Sequence, residues 1–317
     1  MKKIQYFEIL KRAFLMVWEN KFLWFFGLLI FLGSFPSGFN FSSDDATKQS
    51  DQVQVILNYI QEHPKSFLGI ILAILVLVVV LFLLRVIGLT AITKSANNIA
   101  VYGQSKISAI FSEAKKYIWK LMLLEIIICI ALMIIVLVLF IPVAYLLVLK
   151  AKMFAIISMV AAVAIIVVLA IIASYLKRYA CFYIVIGNMK IKLALENAYV
   201  LLIKNIWESL IMGCIGIALG IIAMMLSSAL LLSLVLLYSP FSLVVHSMFA
   251  KIGTSFASIT EIITGGAILL LLFSFFTAFA QSAWVLFFQE ISLEKKEENK
   301  VLEKIKVAEK IPDPEVI

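Results

Sequence analysis

The sequence predicts an all-α fold: a polytopic membrane helical bundle of about six transmembrane helices, with amphipathic elbow helices on its cytoplasmic side. Three observations carry that expectation. Hydrophobic residues make up 64% of the 317 and charged residues 15%, where globular domains run near about 45–50% and about 25%. Several continuous apolar runs exceed the roughly 20 residues that span a bilayer. They do not alternate in segments of about ten residues, which argues against a transmembrane β-barrel. Finally, a polar knot beside an aromatic residue precedes an apolar run at "WENKFLWFFGLLIFLG" (18–33), "KKYIWKLMLLEI" (115–126) and "IKNIWESLIMGCI" (203–215).

Taken in order, the apolar segments are roughly 22–35 (with 13–18 ahead of it), 67–89, 119–149, 153–176, 206–237 and 266–289. The first is short, and the sequence leaves open whether it spans fully. "GSFPSGFN" follows it rather than a small-x-small cleavage site, so a retained span is expected in place of a signal peptide. Runs of roughly 30 residues make helices of about 45 Å, longer than the ~30 Å hydrocarbon core, and must tilt or protrude. Pro142 is expected to kink the third segment or mark its end.

Between the spans, "PSGFNFSSDDATKQSDQ" reads as a polar external loop. Val53, Ile56, Leu57 and Ile60 then follow at helical spacing, a short amphipathic helix that Pro64 is expected to close. The second large external loop, 238–265, carries Phe241, Leu243, Met248, Phe249 and Phe256; it is expected to lie along the outer interface or dip into the bundle. Residues 291–317 form a charged tail, either disordered or a solvated helix extending the sixth span, ended by Pro312 and Pro314.

Orientation follows from lysine and arginine. The segment 1–21, the 90–120 and 177–205 connections, the tail and Arg85 hold 22 of them, and the alternate loops hold 5. Both termini are therefore expected in the cytoplasm, with an even number of spans in the plasma membrane. Lys150 and Lys152 flank a short external turn and are read as snorkelling to the headgroups. The formal charge of +8 fits anionic inner-leaflet lipid headgroups as partners. No basic patch interleaved with aromatics points to nucleic acid. Nothing in the sequence sets an oligomeric state or names a protein partner.

The polar knots belong to a longer repeat. "AFLMVWENKFLWFF" faces "AYVLLIKNIWESLI", with Ala13 against Ala198 and Asn20 against Asn205. The middle copy aligns from Gly103 against Gly187, with Lys106 facing Lys190 and Ala114 facing Ala198, after which the third copy needs four extra residues, about one helical turn. In each copy a basic amphipathic helix is expected in the headgroup plane, then an elbow at the knot, then a span. The elbow residues are Trp18, Asn20, Lys21, Trp119, Asn205 and Trp207, with the indoles at the depth they prefer. The implied organisation is one membrane domain, 1–290, of units at about 1–89, 102–176 and 188–290. The competing reading is that any amphipathic helix entering a bilayer acquires this pattern without duplication.

Candidate chemistry is sparse. Glu125 is ionisable within a span, at a cost of about 2.5–3.5 kcal/mol at the bilayer centre. It lies near the cytoplasmic boundary, where that cost falls, so a structural or interfacial role is favoured over a pathway. Arg85, at similar depth, is the expected partner, and Glu208 sits at an elbow in solvent. Gly213, Gly216 and Gly220 are expected to pack helices closely, with a dimer seam as the sharper alternative. Ser227–Ser233 add small polar contacts.

His63 and His246 fall in external loops without ligand spacing, and Cys129, Cys181 and Cys214 form no CxxC pair. No P-loop, GxGxxG or GxSxG occurs. Accordingly no catalytic residue, cofactor or metal ligand is predicted. The expectation is a non-enzymatic, lipid-interacting or scaffolding membrane protein, with a permease for a small solute as the alternative.

"ALENAYVLLIKN" ahead of an apolar span, and the start Glu19-Asn20-Lys21-Phe22-Leu23-Trp24, resemble a broad group of prokaryotic membrane-only proteins. These are related to the membrane domain attached to some glycerophosphoryl diester phosphodiesterases, and the resemblance covers roughly residues 1–290. In the fused members activity sits in a separate soluble barrel. The non-spanning stretches here are too short for that barrel, so the resemblance implies a membrane fold and carries over no phosphodiesterase residue.

Overall fold

In a bilayer an uninterrupted apolar segment must satisfy every backbone N–H and C=O internally, and the helix does this within one segment. The computed structural model describes residues 4–34, 64–105, 107–248 and 253–309, and among them there are helices and no strand. In order these are α1 (Tyr6–Glu19), α2 (Phe22–Ser34), α3 (Pro64–Tyr102), α4 (Ile107–Val148), α5 (Lys152–Val185), α6 (Ile191–Lys204), α7 (Ile206–Met248) and α8 (Gly253–Glu309). α3, α4, α5, α7 and α8 are each long and apolar enough to cross a membrane. α1 and α2 add a sixth crossing if the pair, bent by 103°, counts as one span. The protein is an integral membrane protein of the polytopic all-α class.

Several boundaries differ from the sequence reading. Pro64 stands at the first position of α3. Proline suits the first helical position because its missing N–H would have no partner there. The 53–60 helix itself lies outside the described residues. α4 runs through Pro142 and ends only at Val148. One lost backbone bond is not enough to stop a 42-residue helix that has no water to compete for its carbonyls.

The expected 238–265 loop is mostly helical, since α7 continues to Met248 and α8 starts at Gly253. Over 238–248 and 253–265 the falling hydropathy reports side-chain polarity, not a break in the helix. The tail is helical as far as Glu309; Pro312 and Pro314 lie outside the described residues.

The α4–α5 connection is tight. Lys150 takes a left-handed conformation (φ 56°). The Ala151 N–H bonds to Leu146 O and the Lys150 N–H to Leu147 O, at 3.1 and 3.0 Å. This is a Schellman closure, normally given to glycine. A lysine accepts the backbone cost of about 1–2 kcal/mol.

The spans form hairpins, α2 with α3, α4 with α5 and α7 with α8. The second helix of each hairpin also receives the next amphipathic segment: α4 lies along α3, α6 along α5, and α1 closes the ring on α8. α3, α5 and α8 meet inside that ring. The largest fully buried side chains, among them Phe26, Ile92, Ile110, Tyr179, Phe182, Leu201 and Phe287, all gather at the end of the bundle that carries the amphipathic segments. That end is called the elbow end below.

Candidate functional site

α3, α4 and α5 each turn one face carrying at least one charged side chain towards a common cavity of about 220 Å³. The spacing on every helix is that of a single face: Arg85 and Leu89 on α3, Leu121, Leu124 and Glu125 on α4, and Ser174, Lys177, Arg178 and Cys181 on α5. α8 contributes Gln281. The Lys177 Nζ lies 3.1 Å from Glu125 Oε2, with both side chains partly buried. The Arg178 guanidinium stacks over the Trp284 ring, 4.3 Å from its centroid, a contact worth about 0.5–2 kcal/mol depending on desolvation. Arg85 makes no ion pair or side-chain hydrogen bond to any described residue. Gln281 Nε2 donates to Thr93 Oγ1 at 3.3 Å, tying the cavity wall to the α3–α8 seam.

Charge is the cavity's distinguishing feature. Three cationic side chains face one carboxylate, which leaves two positive charges unbalanced. At an effective dielectric of about 20, two unit charges about 4 Å apart interact by about 4 kcal/mol. The site therefore attracts an anion and repels a cation. Among the described residues no three His, Cys, Asp or Glu gather to hold a metal ion.

The sequence reading paired Glu125 with Arg85. Both line the cavity, but the carboxylate bonds to Lys177. Depth alone does not separate the two. Glu125 lies 24 residues before Leu149 and Lys177 lies 25 after Lys152, while Arg85 lies 18 before Gly103 and Glu125 lies 19 after Lys106. The choice is azimuthal, because Lys177 is on the face that α5 turns to α4. Lys177 and Arg178 fall in a connection in the sequence reading because its fourth apolar segment ends at 176, whereas α5 runs to Val185. The counting from the tight turn, and the aromatic face Tyr175, Tyr179 and Phe182 beyond it, were the available signals.

The elbows occupy the same end of the molecule. α1 buries Ile9, Ala13, Met16 and Val17, and α6 buries Ala194, Ala198, Leu201 and Leu202, residue for residue at the spacing of the sequence alignment. In α4 the equivalent positions Ile110, Ala114 and Tyr117 are buried and Ile118 is partly so. Asn20 ends α1 by sending both its backbone N–H and its side-chain amide to Met16 O, at 3.1 and 2.8 Å. Asn205 does the same to Leu201 O, at 3.1 Å each.

These buried positions run in register without the four-residue insertion expected from the sequence, so Leu121 and not Tyr117 stands opposite Asn205, and there α4 continues without a break. The elbow expected at Trp119 is therefore corrected: an apolar side chain has no amide to take the carbonyl, and the helix goes on. Trp24 was not singled out in the sequence. Its Nε1 donates to Val17 O at 2.9 Å across the α1–α2 bend, and its ring stands edge-on to Phe275, 5.2 Å between centroids.

Trp18, Trp119 and Trp207 are exposed at the surface, as is Lys21, and Glu208 is half-exposed. The glycines of α7 do not act as a set. A side chain on Gly213 would collide with the Tyr175 hydroxyl, Gly216 faces Trp284 at ordinary contact distance, and Gly220 faces open space. The close approach is at Gly213, outside the Gly216–Gly220 pair. No family model matches the chain, and no curated protein or solved structure is significantly similar to it.

Proposed function

We propose that this chain is a non-enzymatic, lipid-interacting protein of the plasma membrane, with its elbow end and both termini on the cytoplasmic side among anionic headgroups. One observation carries the reading. Each of the repeated segments is held to the bundle by one buried face and turns outward a face mixing basic and aromatic or aliphatic groups. In α1 these are Lys11, Arg12, Phe14 and Trp18; in α4, Lys115, Lys116 and Trp119; in α6, Lys192, Tyr199 and Lys204. Such a face suits the headgroup layer, where stems and rings meet acyl chains and charges meet phosphate.

The test uses the full chain in bilayers with brominated lipids. Tryptophan quenching should be greatest for bromines just below the headgroups, and labelling from outside the cell should miss Lys192. Quenching centred at mid-bilayer, or external labelling of Lys192, would sink the proposal.

A permease for a small anionic solute is the second reading, favoured by the charged cavity between α3, α4 and α5. Anion flux into vesicles that depends on Arg85 would select it over the first.

A further inference from the structure

We propose that the cavity between α3, α4 and α5 binds one phosphate group. The inference starts from charge balance. Glu125 already neutralises Lys177, at 3.1 Å. Arg178 lies over the Trp284 ring, 4.3 Å from its centroid, a contact that supplies no counter-charge to its five N–H donors, and it has no ion-pair partner among the described residues. Arg85 has no ion-pair partner among the described residues. Two arginines at membrane depth without counter-charge are a standing electrostatic demand for an anion.

The shape of the demand selects phosphate. Donors come from two helices, Arg85 on α3 and Arg178 with Lys177 on α5. Convergence from different directions suits a tetrahedral oxyanion better than a planar carboxylate, which one fork satisfies alone. The cavity, about 220 Å³, is below the about 300–1,000 Å³ of pockets that enclose a drug-sized molecule. A headgroup-sized anion fits, and a nucleotide does not. Leu89, Leu121 and Leu124 line the remaining wall and suit the first carbons of an ester substituent.

The two unbalanced charges match a phosphomonoester dianion, and a phosphodiester is bound with one positive charge left over. Glu125 then has a defined role. It holds Lys177 in the empty site and lowers the charge seen by the ligand, so that the anion is held without being trapped.

This proposal rests on the lipid-interacting reading for the source of the phosphate, though not for the existence of the site. Purified full-length protein in an uncharged detergent is titrated with inorganic phosphate, with phosphatidic acid, with phosphatidylglycerol and with phosphatidylcholine, and binding is followed by native mass spectrometry. Arg85→Gln should weaken the phosphate-bearing anion by about tenfold or more. Arg85→Lys should recover part of that loss, and Glu125→Gln should tighten binding several-fold. Circular dichroism and gel filtration of each variant exclude misfolding as the cause.

Preference for the anionic lipids over inorganic phosphate assigns the site to a headgroup. The reverse preference assigns it to a free anion. In either case Arg85-dependent binding sustains the site. Equal affinity for all four probes, or an Arg85→Gln variant that binds as the parent does, overturns it. The elbow reading fails by a different measurement, the tryptophan depth above, and Arg85→Gln leaves that depth unchanged.

Discussion

The elbow end and the far half of the bundle are made from the same helices but held together differently. At the elbow end, Phe287 is fully buried and stacks against Tyr6 at 6.2 Å, while Phe288 packs on Phe182 and Tyr183 at 5.2 and 5.0 Å. In the far half, α3 from Leu68 to Val80, α5 from Met153 to Val168 and α7 from Ile217 to Leu236 expose most of their large apolar side chains. The most apolar windows are the least enclosed by protein. Those of α3 and α8 have mean hydropathies of 3.5 and 2.1, and buried shares of 0% and 22%. In a bilayer, lipid is as good a neighbour as leucine, so hydrophobicity does not pull helices together. Aromatic fit, small residues and hydrogen bonds do, and these are concentrated where the sequence is less purely apolar.

The largest test of that difference is Phe287→Ala. Removing a fully buried ring leaves a void that the neighbouring helices must collapse into or tolerate, at about 3–5 kcal/mol. The expected result is a large drop in unfolding midpoint in mixed detergent, with early separation of α1 from α8. A loss below about 1 kcal/mol would mean that the elbow end is no better packed than the far half.

Next is Gly27→Ala. A Cβ there would strike the Ser274 carbonyl and lie 3.1 Å from Ala278 Cβ, so α2 and α8 would have to move apart. Overpacking of this kind costs about 1–3 kcal/mol. Gly69→Ala is the matched control in the far half, where an added Cβ meets nothing within 4 Å. Equal stability of the two variants would break the comparison.

Asn20→Leu is smaller in energy and sharper in geometry. It installs at the first elbow the residue type found at Leu121, and it removes the amide bond to Met16 O, worth about 0.5–1.5 kcal/mol. The bend between α1 and α2 should open from 103° towards a straighter path, read as a longer distance between spin labels on Lys11 and Leu28. An unchanged distance would assign the bend to Trp24 and its bond to Val17 O instead.

Those elbows also mark how far the sequence was readable. The spans, the Asn20 and Asn205 breaks and the buried positions of α1 and α6 follow from local pattern, since an amide capping a helix acts within one turn. The continuity of α4 through Trp119 was missed because tryptophan and lysine mark depth and say nothing of backbone direction; the informative residue was Leu121. The cavity was half legible. Glu125 and Arg85 stand out as charges among apolar neighbours. Lys177, Arg178 and Gln281 do not, because their significance depends on which face α5 and α8 turn inward, and that is settled by packing between hairpins.

The smallest expected effect is the control that gives the others meaning. Leu77→Ala, in the exposed stretch of α3, removes as much apolar surface as many core substitutions, yet in a bilayer it should shift stability by no more than about 0.5 kcal/mol. The reason is that Leu77 faces the same acyl chains whether or not α3 is docked, so its transfer energy cancels between folded and dissociated states. The measurement is unfolding of the full chain in bilayers rather than in detergent alone, because the cancellation needs lipid on both sides of the equilibrium. A cost above about 1.5 kcal/mol would show that Leu77 has a protein neighbour in the membrane, and then the openness of the far half would reflect a missing partner rather than a lipid-facing design.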